Sequence, residues 1–293
     1  MIVDSHHHIW RVRDNLWLQG PMVPRIFGAY EPIRRDYLAD EFIADATGAG
    51  VTQSVYVQTN WPLERSLDEV KWVQQVHEES GWPHAIVGAA DLFSEEAPAL
   101  FEAQAEASPL MRGIRLQLHW HPDEQYRFAS APDRMHDPVL RRNVSRLAEY
   151  GWVFELQVFS GQMADAARFV ADLPDVRFVL VHSGMLESTA AEHVEPWREG
   201  MEQLAALPNL ATKLTGQGTF VRRVDPELIR LVADSCLDWF GPDRCMWGSN
   251  FPVESLWTDY RSLMDAWQLA LADRPAAVRA AVFGETAKRV YRL

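Results

Sequence analysis

The chain has 293 residues, of which 47% are hydrophobic, and its formal net charge at neutral pH is −13. This length is sufficient for one large core or for two domains of ordinary size. The acidic balance argues against nucleic acid and against an anionic membrane surface as the main partner.

Two further features predict the compartment. No apolar run approaches the roughly 18 residues that a membrane span requires, and no secretory signal precedes Asp4. The chain has only two cysteines, Cys236 and Cys245, which we expect to be buried, reduced thiols. Together these features predict a cytoplasmic protein.

The first predicted strand, at 2–9, contains three consecutive histidines. Side chains alternate along a strand, so we expect Asp4, His6 and His8 on one face and His7 on the other. Two imidazoles held side by side suit either a divalent metal or a substrate carbonyl that must be polarised.

Short apolar runs then alternate with longer amphipathic stretches to the end of the chain. An irregular segment up to residue 35 is too long for an ordinary connection, so we expect it to fold over a site. The further strands are predicted at 51–58, 85–92, 113–120, 152–159, 177–181, 210–215 and 245–250. The helices are predicted at 36–49, 63–80, 95–107, 137–150, 161–173, 197–207, 226–240, 258–272 and 276–291.

Eight strands that are each followed by a helix predict a (β/α)8 TIM barrel, with the whole chain, 1–293, as a single domain. A doubly wound open sheet is disfavoured, because no glycine-rich phosphate loop follows the first strand. The active site of a barrel enzyme lies at the C-terminal ends of its strands. The polar residues near the ends of these strands are therefore the candidate site.

These candidates include one lysine, Lys213, which either binds a substrate carboxylate or pairs with Glu155 inside the barrel; the pairing is favoured. Trp10 follows the first strand and either walls a pocket for a ring or caps the barrel. The strand-end candidates are His6, His8, Gln58, Asn60, Asp91, Arg115, Gln117, His119, Glu155, Gln157, His182, Lys213 and Asn250.

The opening segment DSHHHIW, at 4–10, resembles the start of amidohydrolase superfamily proteins. Five further segments resemble the amidohydrolase-related family that contains the lactonases of sugar acids and of aromatic pathways, such as the 2-pyrone-dicarboxylate type. The resemblance covers the whole chain and implies a hydrolase. The segments are GIR at 113–115, VHSG at 181–184, KLTG at 213–216, GSNFP at 248–252 and YRL at 291–293.

The resemblance implies roles for single residues. His6 and His8 match the histidine pair of the first strand, His182 matches the histidine after strand six, and Arg115 matches an arginine that contacts an acidic substrate in some relatives. Asn250 stands where the superfamily has an aspartate that binds metal and acts as general base. A neutral amide can do neither.

The resemblance leaves the metal content open. Gln157 occupies the strand-five position where a metal-dependent hydrolase often has a histidine or a modified lysine. One alternative is a single divalent ion, zinc foremost, held by His6, His8 and His182 with an open position for water. The other is a metal-independent site, as is held for some relatives in the lactonase branch.

The general base must be reassigned because Asn250 is neutral. His182 is the first choice, since an imidazole titrates near neutral pH. A metal-bound hydroxide is the second choice, and Glu155 and Glu254 are the third.

The favoured function is hydrolysis of a small, acidic cyclic ester to a hydroxy acid. His6 and His8 polarise the carbonyl directly or through a metal, His182 or the metal activates water that Asn250 places, and Arg115 anchors a carboxylate. The substrate-contacting residues are expected to be Arg115, Gln157, Lys213, Trp10 and His119.

Two other functions stay open. A metal-dependent decarboxylase of the same superfamily is disfavoured by the missing aspartate, whereas a non-catalytic binding barrel is favoured by it. The oligomeric state also stays open, and a homo-oligomer is one alternative, because barrel enzymes often associate.

Overall fold

The computed structural model describes all 293 residues. Eight parallel strands pair with their neighbours in chain order, which confirms the (β/α)8 barrel. The strands are β1 (Ile2–His7), β2 (Val51–Val57), β3 (Ala85–Gly88), β4 (Met111–Gln117), β5 (Val153–Gln157), β6 (Arg177–Leu180), β7 (Leu210–Leu214) and β8 (Cys245–Trp247).

Helices surround the barrel, and none of them has both the length and the apolar character to cross a bilayer. A π-helical turn, Ala281–Glu285, joins the last two. The helices are α1 (Ala39–Gly48), α2 (Ser66–Ser80), α3 (Ala97–Ala107), α4 (Pro138–Ser145), α5 (Met163–Ala171), α6 (Ala191–Ala205), α7 (Gly218–Val221), α8 (Pro226–Phe240), α9 (Tyr260–Ala270), α10 (Ala276–Ala280) and α11 (Thr286–Tyr291).

Several element ends differ from the prediction. Helix α1 begins at Ala39 rather than at the predicted residue 36, and the carboxylate of Asp36 accepts a hydrogen bond from the backbone of Val12. Helix α6 begins six residues before the predicted start at 197 and contains Pro196 in its second turn. The short helix α7 was not predicted. Both cysteines are buried and free, as expected.

The strict alternation predicted for β1 is wrong at Asp4. Between Asp4 and His7 this strand has one residue more than β2, which is a β-bulge. Asp4 consequently faces the helices, where it accepts hydrogen bonds from Ser249 and from Tyr260 of α9. His7 also points outward, as predicted, and stacks on Phe42 of α1 with ring centroids 3.6 Å apart. The bulge leaves His6 inside the barrel.

Backbone hydrogen bonds between the end of β1 and the residues that follow β8 close the barrel. The amide of Asn250 donates to the carbonyl of His6 at 2.7 Å, and the amide of His8 donates to the carbonyl of Phe251 at 2.7 Å. The first and last strands are thereby held in register, so the histidine pair and Asn250 are neighbours at one end of the barrel.

A buried ion pair lies inside the barrel below this end. Lys213 of β7 lies 2.6 Å from Glu155 of β5, and neither side chain is exposed. Tyr291 of α11 donates a second hydrogen bond to Glu155 at 2.6 Å. Burial lowers the pKa of Lys213 to about 8, although the Glu155 carboxylate opposes this shift. The favoured pairing of Lys213 is therefore the one observed.

We predict that Glu155→Gln destabilises the protein by about 3 kcal/mol, because it leaves the Lys213 ammonium buried without its counter-charge. Urea denaturation followed by circular dichroism measures the change. The matched control is Arg142→Ala, which removes the exposed ion pair with Glu95 and should leave the midpoint unchanged. Equal midpoints for Glu155→Gln and the unsubstituted protein would contradict the prediction.

Candidate active site

A cavity of about 530 Å³ opens at the C-terminal end of the barrel. Its floor carries residues from five strand ends, whereas most of its rim is aromatic and basic. The floor residues include His8, Arg115, Gln157, His182 and Asn250, and the rim residues include Trp17, Arg25, Phe27, Phe128 and Phe220.

The segment between β1 and α1 covers one side of this cavity, as its length led us to expect. It contains only short 3-10 turns and is held by side-chain hydrogen bonds. The indole of Trp10 donates to the carbonyl of Arg35 and that of Trp17 donates to Thr59, both at 2.8 Å. The segment therefore has a defined shape without regular secondary structure.

Three histidines form a cluster at the cavity floor. The ring centroid of His6 lies 5.1 Å from that of His8 and 4.9 Å from that of His182. Nδ1 of His8 must donate to the carbonyl of Val57, 2.7 Å away, so Nε2 of the neutral ring is a free acceptor. His182 bonds through Nδ1 to the hydroxyl of Thr215 at 2.6 Å.

The His6 tautomer follows from its neighbour Lys213. The ammonium lies 3.3 Å from Nδ1 of His6 and can only donate, so the proton of the neutral ring belongs on Nε2. That Nε2 is buried and has no hydrogen-bond partner within the protein. His6 therefore offers one unused donor at the floor, and Lys213 contributes by orienting it rather than by contacting the cavity.

Sharp turns after β6 and β8 present His182 and Asn250. Both residues have left-handed backbone angles, with φ of 55° and 58°, an uncommon conformation for residues with side chains. Gly216 makes room for the first turn, since a Cβ there would lie 2.6 Å from Nδ1 of His182. Trp197 fixes that turn by donating to the carbonyl of Ser183 at 2.7 Å.

The electrostatics of the floor are dominated by Arg115. Its guanidinium is buried and donates to the carbonyl of Gln58 at 2.6 Å, while the nearby Glu155 is already paired with Lys213. Burial, together with the charges of Arg115 and Lys213, lowers the pKa of His8 to about 3. Burial and Arg115 also lower the pKa of His119 to about 3. The imidazoles are therefore neutral at pH 7, beside an arginine that an anion would neutralise.

The predicted residues separate into three groups. Trp10, His119 and Gln157 line the cavity with the floor residues. His6 is fully buried at the base of the histidine cluster, and Lys213 lies beneath it. Asp91 is exposed and caps a turn, where it accepts from the amide of Phe93, so it is not part of the site.

Sequence reasoning missed several residues that the structure brings to the cavity. Trp17, Arg25 and Phe27 lie in the irregular segment, which was expected to cover a site but whose contacts no periodicity could indicate. Thr215, the partner of His182, directly precedes Gly216 in the KLTG segment. The Thr-Gly pair at that strand end was the available signal.

The three histidines are a poor match to a zinc site. No group of three or more His, Cys, Asp or Glu side chains is arranged to hold a metal ion. Nε2 of His6 carries a proton rather than a free lone pair, and the buried charge of Arg115, which is paired with no carboxylate, repels a cation. The floor also has no carboxylate that could serve as an anionic ligand.

Comparison with known proteins gives matches along the whole chain. The amidohydrolase family matches residues 3–293. An uncharacterized protein of Sinorhizobium fredii, y4mH, is 32% identical over 294 residues, which cover 100% of this chain and 98% of that protein. An L-fucono-1,5-lactonase of Burkholderia multivorans is 32% identical over 314 residues, which cover 99% and 96%.

A crystal structure of an amidohydrolase from Burkholderia multivorans, with bound zinc, superposes with a TM-score of 0.84. Its sequence is 29% identical, and the match covers 100% of this chain and 99% of that one.

The buried neutral histidines predict an acid-sensitive fold. In the unfolded chain a histidine takes up a proton below about pH 6.5, whereas folded His8 and His119 do so only near pKa 3. The unfolded state therefore binds more protons below about pH 6.5, and stability falls as the pH is lowered, by about 1.4 kcal/mol per pH unit for each such histidine.

This dependence is measured by urea denaturation at a series of pH values. His119→Gln should reduce the slope of unfolding free energy against pH, between about pH 6 and about pH 5, by the contribution of one histidine, about 1.4 kcal/mol per pH unit. An unchanged slope in His119→Gln would show that folded His119 is protonated.

Proposed function

Because the chain belongs to the amidohydrolase family and is a hydrolase, we propose that it opens a small, acidic lactone by attack of water on the ring carbonyl. One observation carries the proposal: a cluster of neutral imidazoles shares a cavity floor with a buried arginine that has no carboxylate of its own. Such a floor suits an anionic substrate whose reaction needs proton transfer and hydrogen bonding to a carbonyl.

Arg115 anchors the carboxylate of the substrate. The buried guanidinium gains a counter-charge when an acidic ligand binds, which makes a charge-assisted hydrogen bond in a site of low dielectric constant. The same carboxylate offsets the positive charge that lowers the pKa of His182. Binding of the substrate thus makes His182 a stronger base at the moment when a base is needed.

The reaction is an addition followed by an elimination. The oxygen of water attacks the lactone carbonyl carbon while a proton of that water passes to Nε2 of His182. The Nε2 hydrogen of His6 stabilises the charge that develops on the carbonyl oxygen. The ring C–O bond then breaks, His182 returns the proton to the leaving oxygen, and the product is the open hydroxy acid.

The aromatic rim indicates the shape of the substrate. Trp17, Phe27 and Phe220 present flat apolar surfaces around the polar floor, as in pockets that hold a ring. The L-fucono-1,5-lactonase activity of a relative supports six-membered sugar lactones as the first compounds to test. Carboxylated lactones are the second group, because of Arg115.

We predict that the protein hydrolyses members of a panel of neutral sugar lactones and carboxylated lactones, followed by proton release with a pH indicator. Arg115→Met should raise KM for the carboxylated lactones by about 100-fold, the value of a charged hydrogen bond, and that for neutral lactones far less. Arg115→Lys keeps the charge and is the matched control.

The panel also tests the alternatives. Release of carbon dioxide from a carboxylated compound would indicate a decarboxylase, and tight binding without turnover would indicate a binding protein. Hydrolysis of no lactone in the panel would contradict the proposal.

We also propose that the reaction proceeds without a resident metal, because the tautomer of His6 and the unpaired charge of Arg115 oppose one. Dialysis against a chelator should leave kcat unchanged, and metal analysis of the purified protein should find zinc well below one equivalent. One equivalent of tightly bound zinc, with activity that is lost on chelation and restored by zinc, would overturn this expectation.

A further inference from the structure

Glu254 lies directly behind Asn250, in the turn that follows β8. Its carboxyl group is 1% exposed and does not line the cavity. Oε1 accepts a hydrogen bond from Nδ2 of Asn250 at 3.4 Å, and Oε2 accepts one from the indole of Trp257 at 2.7 Å. The carboxyl group therefore touches the site only through the Asn250 amide.

This contact determines which way the amide faces. If Glu254 is ionised it can only accept, so the NH2 end of Asn250 must turn toward it and Oδ1 must turn away. The side chain of Asn250 acts to raise the pKa of His8, as an oxygen does that can accept from the protonated ring. The two ends of the amide thus face Glu254 and His8 respectively.

The result is a pair of acceptors at the cavity floor. Nε2 of His8 is a free acceptor because Nδ1 donates to Val57, and Oδ1 of Asn250 is its neighbour. A water molecule that shares one hydrogen between these two acceptors, as a three-centre bond, keeps its other hydrogen for Nε2 of His182, the proposed base.

We propose that Glu254 is a positioning residue, which holds the Asn250 amide so that Oδ1 and His8 together place the attacking water. This inference rests on the proposed hydrolysis. It also accounts for the asparagine that stands at position 250 in place of the superfamily's aspartate. The chain keeps a carboxylate at this side of the site but places it one side chain further from the substrate.

Other buried carboxyl groups have more or stronger hydrogen-bond donors than Glu254. Asp4 accepts from two backbone amides and two hydroxyl groups, Glu69 from a tyrosine, a threonine hydroxyl and a backbone amide, and Glu155 from Lys213 and a tyrosine. Glu254 has only two neutral donors, one of them at long range. Its charge is therefore the least compensated and the most able to polarise its partner amide.

The surroundings of Glu254 exclude water and contribute no charge. Helix α7 carries no charged side chain, and its Gly218 packs so closely that a Cβ would lie 2.7 Å from Oε2. The turn 31–33 also packs against this region, but its one charged side chain, Glu31, is exposed and paired with Arg34. On β1 the nearest titratable group is His8, beyond Asn250.

Burial raises the pKa of Glu254 to about 7, against the hydrogen bonds from Trp257 and Asn250. Below this pH the carboxyl group carries a proton and becomes a donor. The Asn250 amide then gains by turning Oδ1 toward Glu254, which points its NH2 group at His8 and removes one acceptor of the water. The positioning contact is thus present above about pH 7 and lost as the pH falls through it.

Nuclear magnetic resonance tests the contact without reference to activity. In the 15N-labelled protein the side-chain amide of Asn250, identified by its absence in Asn250→Asp, should shift with pH with a midpoint near pH 7. The shift should vanish in Glu254→Gln. An Asn250 resonance that is independent of pH between about 6 and about 8 would overturn the proposal.

Kinetics test the role in catalysis. Glu254→Gln should lower kcat by about 10- to 100-fold, the value of a hydrogen bond to a charged group, with KM changed little. It should also remove the acid limb of the kcat/KM profile. Glu254→Asp should restore part of kcat, and Trp257→Phe should move the acid limb to higher pH, because it removes a donor that stabilises the carboxylate.

A purely structural role would lower stability and kcat in Glu254→Gln but leave the acid limb in place, and that result would refute the proposal. If the protein hydrolyses no lactone, the proposed function fails by itself, and the resonance of Asn250 still decides whether Glu254 orients the amide.

Discussion

The closure of the barrel between its first and last strands is the constraint on which the site depends. Two backbone hydrogen bonds, from Asn250 to His6 and from His8 to Phe251, join residues that are more than 240 positions apart in the sequence. They join the end of β1 to the residues that follow β8. The bulge in β1 also contributes to the site, because it places His6 inside the barrel at the level where the first and last strands are joined. Chemistry at this floor therefore requires a correctly closed barrel.

The groups that hydrogen-bond to Nδ1 of each histidine give the three rings different chemical roles. Lys213 directs the proton of His6 to Nε2, Val57 directs that of His8 to Nδ1, and Thr215 orients His182. Three identical side chains thus become a donor, an acceptor and a base through contacts with groups that do not meet the substrate. Such outer contacts determine function as much as the imidazoles themselves do.

The fold and the floor of the site could be predicted from the sequence because both depend on local patterns. Apolar runs of strand length at regular intervals indicated the barrel, and polar residues at their ends indicated His8, Arg115, His182 and Asn250. The orientation of Asp4 could not be predicted, because a one-residue bulge leaves no mark on the apolar alternation. The rim residues Trp17 and Phe27 could not be identified either, since long-range hydrogen bonds rather than any periodicity hold their segment.

The segment between β1 and α1 has an evolutionary consequence. The floor draws on five separate strands, so a change of chemistry demands coordinated substitutions at distant points of the gene. Much of the aromatic and basic rim, in contrast, comes from one contiguous stretch that is not part of the barrel scaffold. New substrate preferences can therefore arise by drift, insertion or recombination within a few dozen codons, while the inherited reaction stays intact. In a family with this arrangement, substrate specificity can change faster than the reaction mechanism.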